Sequence, residues 1–270
     1  MMGLATITVS IFTVMVCFSK SYNTQPIIGL CIAFLLLCVI GLFYKTKTIQ
    51  HYRPLILLIS LVWFGFIAAG CNCILFYFQG FILFLMGNTA FWLSFVVILS
   101  IITLSVVFGA IWCSWICWLG ALQEFIYQKN KWRLFKSKKT QKILIFIQIF
   151  AFVALVLWII VLQRPVLCSY DPFISIFRLK FFNRIGYISV PLLLISSLFI
   201  YRPFCRTLCP IGLLMYLVKY LPFAKQLKLN NCTGCKKCHS YCKLDAIEEK
   251  KVNPTCIMCG ECKKSNCSAI

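Results

Sequence analysis

Six long apolar stretches run along the chain, at 1–18, 26–44, 54–78, 90–111, 143–162 and 185–201, with short polar segments between them. A helix crossing the hydrocarbon core of a bilayer needs about 20 predominantly apolar residues, with tilt absorbing the difference in shorter or longer ones. The pattern therefore predicts about six transmembrane helices. The first stretch has neither a basic segment before it nor a small-residue cleavage site, and reads as a retained anchor. Two shorter amphipathic segments, 112–127 and 205–220, are expected at the cytoplasmic interface or dipping into the membrane. From residue 225 the pattern turns polar, lysine-rich and cysteine-dense. The chain thus divides into a transmembrane helical domain, 1–224, and a small second domain, 225–270.

Composition supports the bilayer as solvent. Hydrophobic residues make up 61% of the 270 and charged residues 12%, whereas soluble domains are nearer half apolar and a quarter charged. The net charge of +21 comes from 27 Lys and Arg against 6 Asp and Glu. These cations sit between the apolar runs, which argues against a nucleic-acid surface. Counted by side, 22 fall in the segments on one face and 5 on the other. The positive-inside rule then places both termini in the cytoplasm of a multi-pass inner-membrane protein.

Eighteen cysteines change the picture further. The tail reads CTGCKKCHSYC and then CIMCGECKKSNC. Three thiolates at x2 spacing wrap one iron–sulfur cubane, and the fourth cysteine of such a run ligates the other cluster in two-cluster ferredoxins. One 4Fe-4S cluster is therefore expected on Cys232, Cys235, Cys238 and Cys267, and a second on Cys256, Cys259, Cys262 and Cys242. Structural zinc uses two x2 pairs and needs no third cysteine in the run. The proline that follows bacterial ferredoxin runs is replaced by Lys243 and Ser268, and the last spacing is x4. The expected fold is an all-α polytopic membrane bundle with a small α+β two-cluster ferredoxin-like domain.

Two further segments, FGAIWCSWICWLGALQEFIY at 108–127 and YRPFCRTLCPIGLLMYLVKY at 201–220, share Cys-x3-Cys-x2-Gly followed by an apolar helix-forming run. They read as an internal duplication. On a continuous helix the i and i+4 cysteines share a face at about 5–6 Å between Cβ atoms, which suits two ligands of one centre better than a disulfide. Pro210 suits a first helical turn and would leave Cys209 just before a helix start, where a thiolate is favoured. Cys113, Cys117, Cys205 and Cys209 are thus candidates for a further metal centre or a redox dithiol at the membrane edge, against the alternative of small packing residues. A metal site on Cys71 and Cys73 needs a broken helix or a partner such as Cys168, on the same predicted side, against the alternative of packing or surface thiols, and Cys17, Cys31 and Cys38 read as packing. Glu124 is expected to pair with Arg202 or Arg206. Asp171, the one acid in its loop, reads equally as the start of a turn before Pro172 or as a binding residue. His51 and His239 are too few and too badly placed for a haem, and no phosphate-cradling or Ser/His/Asp grouping is present.

These segments and the tail motifs resemble the polytopic membrane ferredoxins of the NapH/NosR type over roughly 100–270, with Trp118 standing where that family has proline. The resemblance implies single-electron transfer between a cytoplasmic donor (a ferredoxin, a flavodoxin or a reductase subunit) and a quinone or membrane acceptor. It implies an electron-carrier component more than a stand-alone enzyme. A self-contained metal-ion or small-oxidant reductase resembling the CcoG type, or a redox-sensing assembly protein, is the alternative.

Overall fold

The computed structural model describes residues 24–43, 47–67, 73–128, 138–165, 172–177, 186–221 and, in the tail, 224, 227, 238, 241–248 and 251–265. The first apolar stretch lies outside them. Helix α1, Thr24–Phe43, and the short α2, Lys47–His51, precede α3, Arg53–Ser60. Pro54 occupies the first turn of α3, where no intrahelical N–H is needed. The helix then widens into a π-helical stretch, Leu61–Ile67. Helix α4, Ile74–Leu85, and α5, Trp92–Phe108, form a hairpin. Its turn uses Gly87 at φ 95° and Asn88, whose side chain accepts from the Ala90 N–H at 3.2 Å. The two helices meet so closely that a Cβ on Gly80 would lie 2.3 Å from Ser94 Oγ.

A π-helical turn, Trp112–Ile116, leads into α6, Trp118–Ile126. Helix α7, Lys138–Leu162, is followed by α8, Pro172–Phe177, α9, Gly186–Phe199, α10, Pro203–Thr207, and α11, Pro210–Val218. The tail contributes two antiparallel two-residue strands, β1 Ile247–Glu248 and β2 Lys251–Val252, with Ile247 opposite Val252 and Glu248 opposite Lys251. A 3-10 turn, Glu261–Ser265, follows.

Two helices among the described residues, Thr89–Phe108 and Thr140–Leu162, are long and apolar enough to cross a membrane by length and composition. Six were expected. The expected span 54–78 is divided: one helix ends by Ile67, and Cys73, extended at ψ 118°, begins another that runs on into the expected outer loop. Apolar continuity cannot separate one long helix from two short ones. The outer face of α7 is bare, with Phe146, Phe150 and Val161 exposed by 72%, 71% and 76%.

The core is centred on the two cysteine turns, where Trp115 and Trp118 are fully buried. Helix α3 packs on the first turn and α7 on the second. The duplication expected from sequence therefore includes the helix that supports each turn.

Candidate functional site: two clusters of four cysteines

The two cysteine turns are built alike. Cys117, at φ −62° and ψ 108°, caps α6, and Cys209, at φ −75° and ψ 116°, caps α11. Each capping N–H bonds five residues back, Cys117 to the Trp112 carbonyl at 3.0 Å and Cys209 to the Phe204 carbonyl at 3.0 Å. The cysteines therefore do not lie on a continuous helix, and Trp118 starts its helix with the geometry that Pro210 gives the other. Each first cysteine has its carbonyl held by a side chain passing over the glycine of Cys-x2-Gly. Arg202 Nη1 reaches the Cys113 carbonyl over Gly120, and Gln148 Nε2 reaches the Cys205 carbonyl at 3.1 Å and that of Cys209 at 3.0 Å over Gly212. A Cβ on Gly212 would lie 2.4 Å from the Cys205 oxygen, which explains the glycine.

The halves also hold one another. Arg202 belongs to the second but reaches Cys113 in the first. Gln123 belongs to the first, accepts from the Phe204 N–H at 3.0 Å, and directs its amide at Cys205 Sγ, 3.6 Å away.

Cys113, Cys117, Cys205 and Cys209 line one cavity with about 100 Å³ of internal space. Every pair among the four thiols is linked by an electrostatic interaction. Burial, reinforced by these neighbours, pushes Cys113 and Cys209 well up and Cys205 up to about 12. Burial raises Cys117 too, against the amides of Gly120 and Leu119 and the charge of Arg202. Such thiols ionise when a metal takes the proton's place. Lys219 and Arg202 also line the cavity, as does Trp112, whose indole N–H is buried without an acceptor.

A second cavity, smaller, is lined by Cys242, Cys256, Cys259 and Cys262, again with an electrostatic interaction between every pair of these thiols. The chain makes sharp turns there at Met258 (φ 55°) and Gly260 (φ 79°). Burial, with the neighbouring thiols, raises Cys256 to about 11. Cys238 lies beside Cys262. Cys232, Cys235 and Cys267 lie outside the described residues, as do Cys17, Cys71, Cys168, Asp171 and His239. Cys73 is buried at the start of α4, Cys31 and Cys38 pack against the core, and His51 is exposed beside Tyr52.

Among the described residues no three His, Cys, Asp or Glu are placed to hold one metal ion. Four thiols around a cavity, too spread for one ion, fit a polynuclear cluster, which distributes its ligands over several irons. The buried N–H of Trp112 and the cations suit the negative charge of sulfide and thiolate.

Between the two sites lies a buried ionic knot. Glu124 accepts from Arg53 at 2.8 and 2.9 Å, Arg202 at 2.6 Å, Tyr201 at 2.8 Å and Lys243 at 3.1 Å. Burial alone would raise this carboxyl, but Arg202 and Arg53 outweigh it and hold it well below the usual carboxylate range. Arg53 also bonds Glu261 at 3.0 Å and the Ser114 carbonyl at 3.2 Å. Arg202, in the left-handed region at φ 52°, is thus fixed by Glu124 as expected, whereas Arg206 lines the first cavity and feels Asp245. Arg53, Gln123, Gln148, Lys219 and Lys243 were not singled out from sequence. Gln123, Gln148 and Lys219 are polar residues in apolar helical runs, and that is the available signal.

A family of 4Fe-4S binding domains matches residues 89–140 and 183–228, which enclose the two cysteine turns. These two segments are similar to a 4Fe-4S binding domain. Similar proteins extend the match. An uncharacterized protein of Methanocaldococcus jannaschii is 29% identical over 228 residues, covering 80% of this chain and 92% of that protein. The putative electron transport protein YccM of Escherichia coli is 28% identical over 61% of this chain and 50% of its own length. Protein NirI of Paracoccus denitrificans is 27% identical over 57% of this chain and 24% of its own. No solved structure matches the chain.

Proposed function

We propose that this chain is a membrane-bound electron carrier passing single electrons between a cytoplasmic donor and a membrane or trans-membrane acceptor, a quinone or a partner reductase. The observation that carries the reading is the pair of four-cysteine cavities, which share Leu244 and Ile257 in their walls. One layer of side chains separates them. In this reading Cys242, Cys256, Cys259 and Cys262 hold one tail cluster, and Cys232, Cys235, Cys238 and Cys267 hold the other. Cys113, Cys117, Cys205 and Cys209 hold a third centre at the membrane edge. Bound clusters supply reversible one-electron storage. The protein supplies ligands, buried cations and exclusion of water. The bare outer face of α7, the two long apolar helices and the lysine-rich cytoplasmic segments support multi-pass insertion, with the tail in the cytoplasm facing an acidic donor.

Iron, sulfide and zinc per chain on anaerobically purified protein, with EPR after reduction, test this. About 8 Fe corresponds to the two tail cubanes and about 12 to a third at the membrane edge. In the latter case Cys113→Ser and Cys205→Ser remove the same iron and leave the tail signals. Zinc in place of iron in protein never exposed to air overturns the electron-transfer reading. Turnover of a metal ion or small oxidant by the purified protein without a partner would establish the reductase alternative.

A further inference from the structure

We propose that Lys219 is a shared positioning charge, coupling the membrane-edge site to the tail cluster on Cys256 and setting the potentials of both. The inference rests on the reading that both four-cysteine cavities hold clusters. Lys219 ends α11, the helix that Cys209 begins, and is 7% exposed. Its ammonium crosses to the tail, donating to the Pro254 carbonyl at 2.7 Å and to that of Cys256. The same side chain lines the cavity of Cys113, Cys117, Cys205 and Cys209. Cys256 and Cys113, one from each site, are the thiols whose charge acts on it.

The other cations at this cavity are arranged differently. Arg202 directs Nη2 at Glu124, and Arg206 feels Asp245. Lys219 reaches two backbone carbonyls of the tail, and these contacts hold its ammonium between the two sites. A second link runs parallel: Trp115, between the cysteines of the first turn, donates its indole N–H to the carbonyl of Met258, between Cys256 and Cys259, at 3.4 Å. Both links end on the Cys256–Cys259 turn. The electron exchange partner of the membrane-edge site is therefore the cluster of Cys242, Cys256, Cys259 and Cys262.

Reduction adds one negative charge to a cluster, and a buried cation nearby favours it. Removing that cation lowers the potential at each centre it serves.

The test compares Lys219→Met, Lys219→Arg and wild type by EPR-monitored redox titration with iron content measured in parallel. Signals are assigned from Cys113→Ser, Cys259→Ser and Cys235→Ser. The expected result in Lys219→Met, at wild-type iron content, is a tenfold or larger change in the reduction equilibrium of the membrane-edge and Cys256 centres. For a one-electron couple that is about 59 mV toward more negative values. The centre on Cys235 stays fixed, and Lys219→Arg restores both potentials. If Lys219→Met loses iron, Lys219→Gln, which can keep a hydrogen bond to the tail without charge, is read for the same shift. Unchanged potentials in the neutral variants, or an equal shift at all three centres, overturn the proposal while leaving the clusters in place. A wild-type protein whose iron is unaffected by Cys113→Ser and Cys205→Ser overturns the reading beneath it.

Discussion

Glutamine at position 124 keeps the shape of the side chain and removes its charge. In the native knot both carboxylate oxygens accept from cationic donors at 2.6–3.1 Å, and the Arg53 and Arg202 side chains are each 3% exposed. At an effective dielectric of 20, each close pair of this kind is attractive by about 4 kcal/mol before desolvation is subtracted. Removing one partner of a buried pair costs about 3–5 kcal/mol, because the other is left buried and uncompensated. Lys243 can turn to water, being 28% exposed, and Arg53 keeps Glu261 at 3.0 Å. The loss should therefore sit near the lower end, about 3 kcal/mol. For a chain of this size that is a fall of about 6–12 °C in the unfolding midpoint, measured by tryptophan fluorescence in detergent. Arg202 should be the side chain left stranded, so Arg202→Met combined with Glu124→Gln should cost less than the sum of the two single changes. A fall under about 3 °C, or strict additivity, would refute the reasoning.

Glu124 also gives a pH signature. Its carboxyl is depressed in the folded state, so its contribution is complete above the ordinary carboxylate value of about 4.3 and is lost as pH falls below it. Cluster-free protein should show an acid slope that Glu124→Gln lacks, read from unfolding midpoints at stepped pH. Gly212→Ala should disrupt its turn more than Gly120→Ala. The first meets a backbone atom, the Cys205 carbonyl oxygen, at 2.4 Å, the second the end of a side chain, that of Arg202, at 2.9 Å; iron retained per chain ranks the two. Gln148→Leu leaves the carbonyls of Cys205 and Cys209 without its amide. The expected cost is about 1–3 kcal/mol, seen in thermal unfolding with an unchanged tail EPR signal.

The cysteine spacings were legible because metal chemistry needs a residue type at a fixed interval, and that survives in a string of letters. The same holds for the duplication, where Cys113 and Cys117 match Cys205 and Cys209. The capping of a helix by Cys209 followed from Pro210, but the equivalent role of Cys117 did not, since Trp118 carries no such rule. The break in the third apolar stretch was hidden because both of its helices are apolar. Arg53 was hidden for a different reason. It read as a loop cation counted toward orientation, yet it is 3% exposed and joins Glu124 to Glu261, 137 residues apart. Long-range charge pairing leaves no periodicity to read.

Arg202 of the second unit bracing Cys113 of the first, and Gln123 of the first bracing Phe204 and Cys205 of the second, have an implication for ancestry. The bracing runs both ways between the units, so neither turn is complete without the other. A forebear with one unit would complete the four-thiol cage only by self-association about a two-fold axis, each copy supplying two sulfurs. Joining two such units in one chain would free the halves to diverge. Glu124 is an ionic anchor for the tail, while its counterpart, Tyr216, is a phenol paired with Tyr220 at 2.8 Å. A cage assembled from two copies would leave the single unit inert, and one chain carrying both units has no such dependence on concentration.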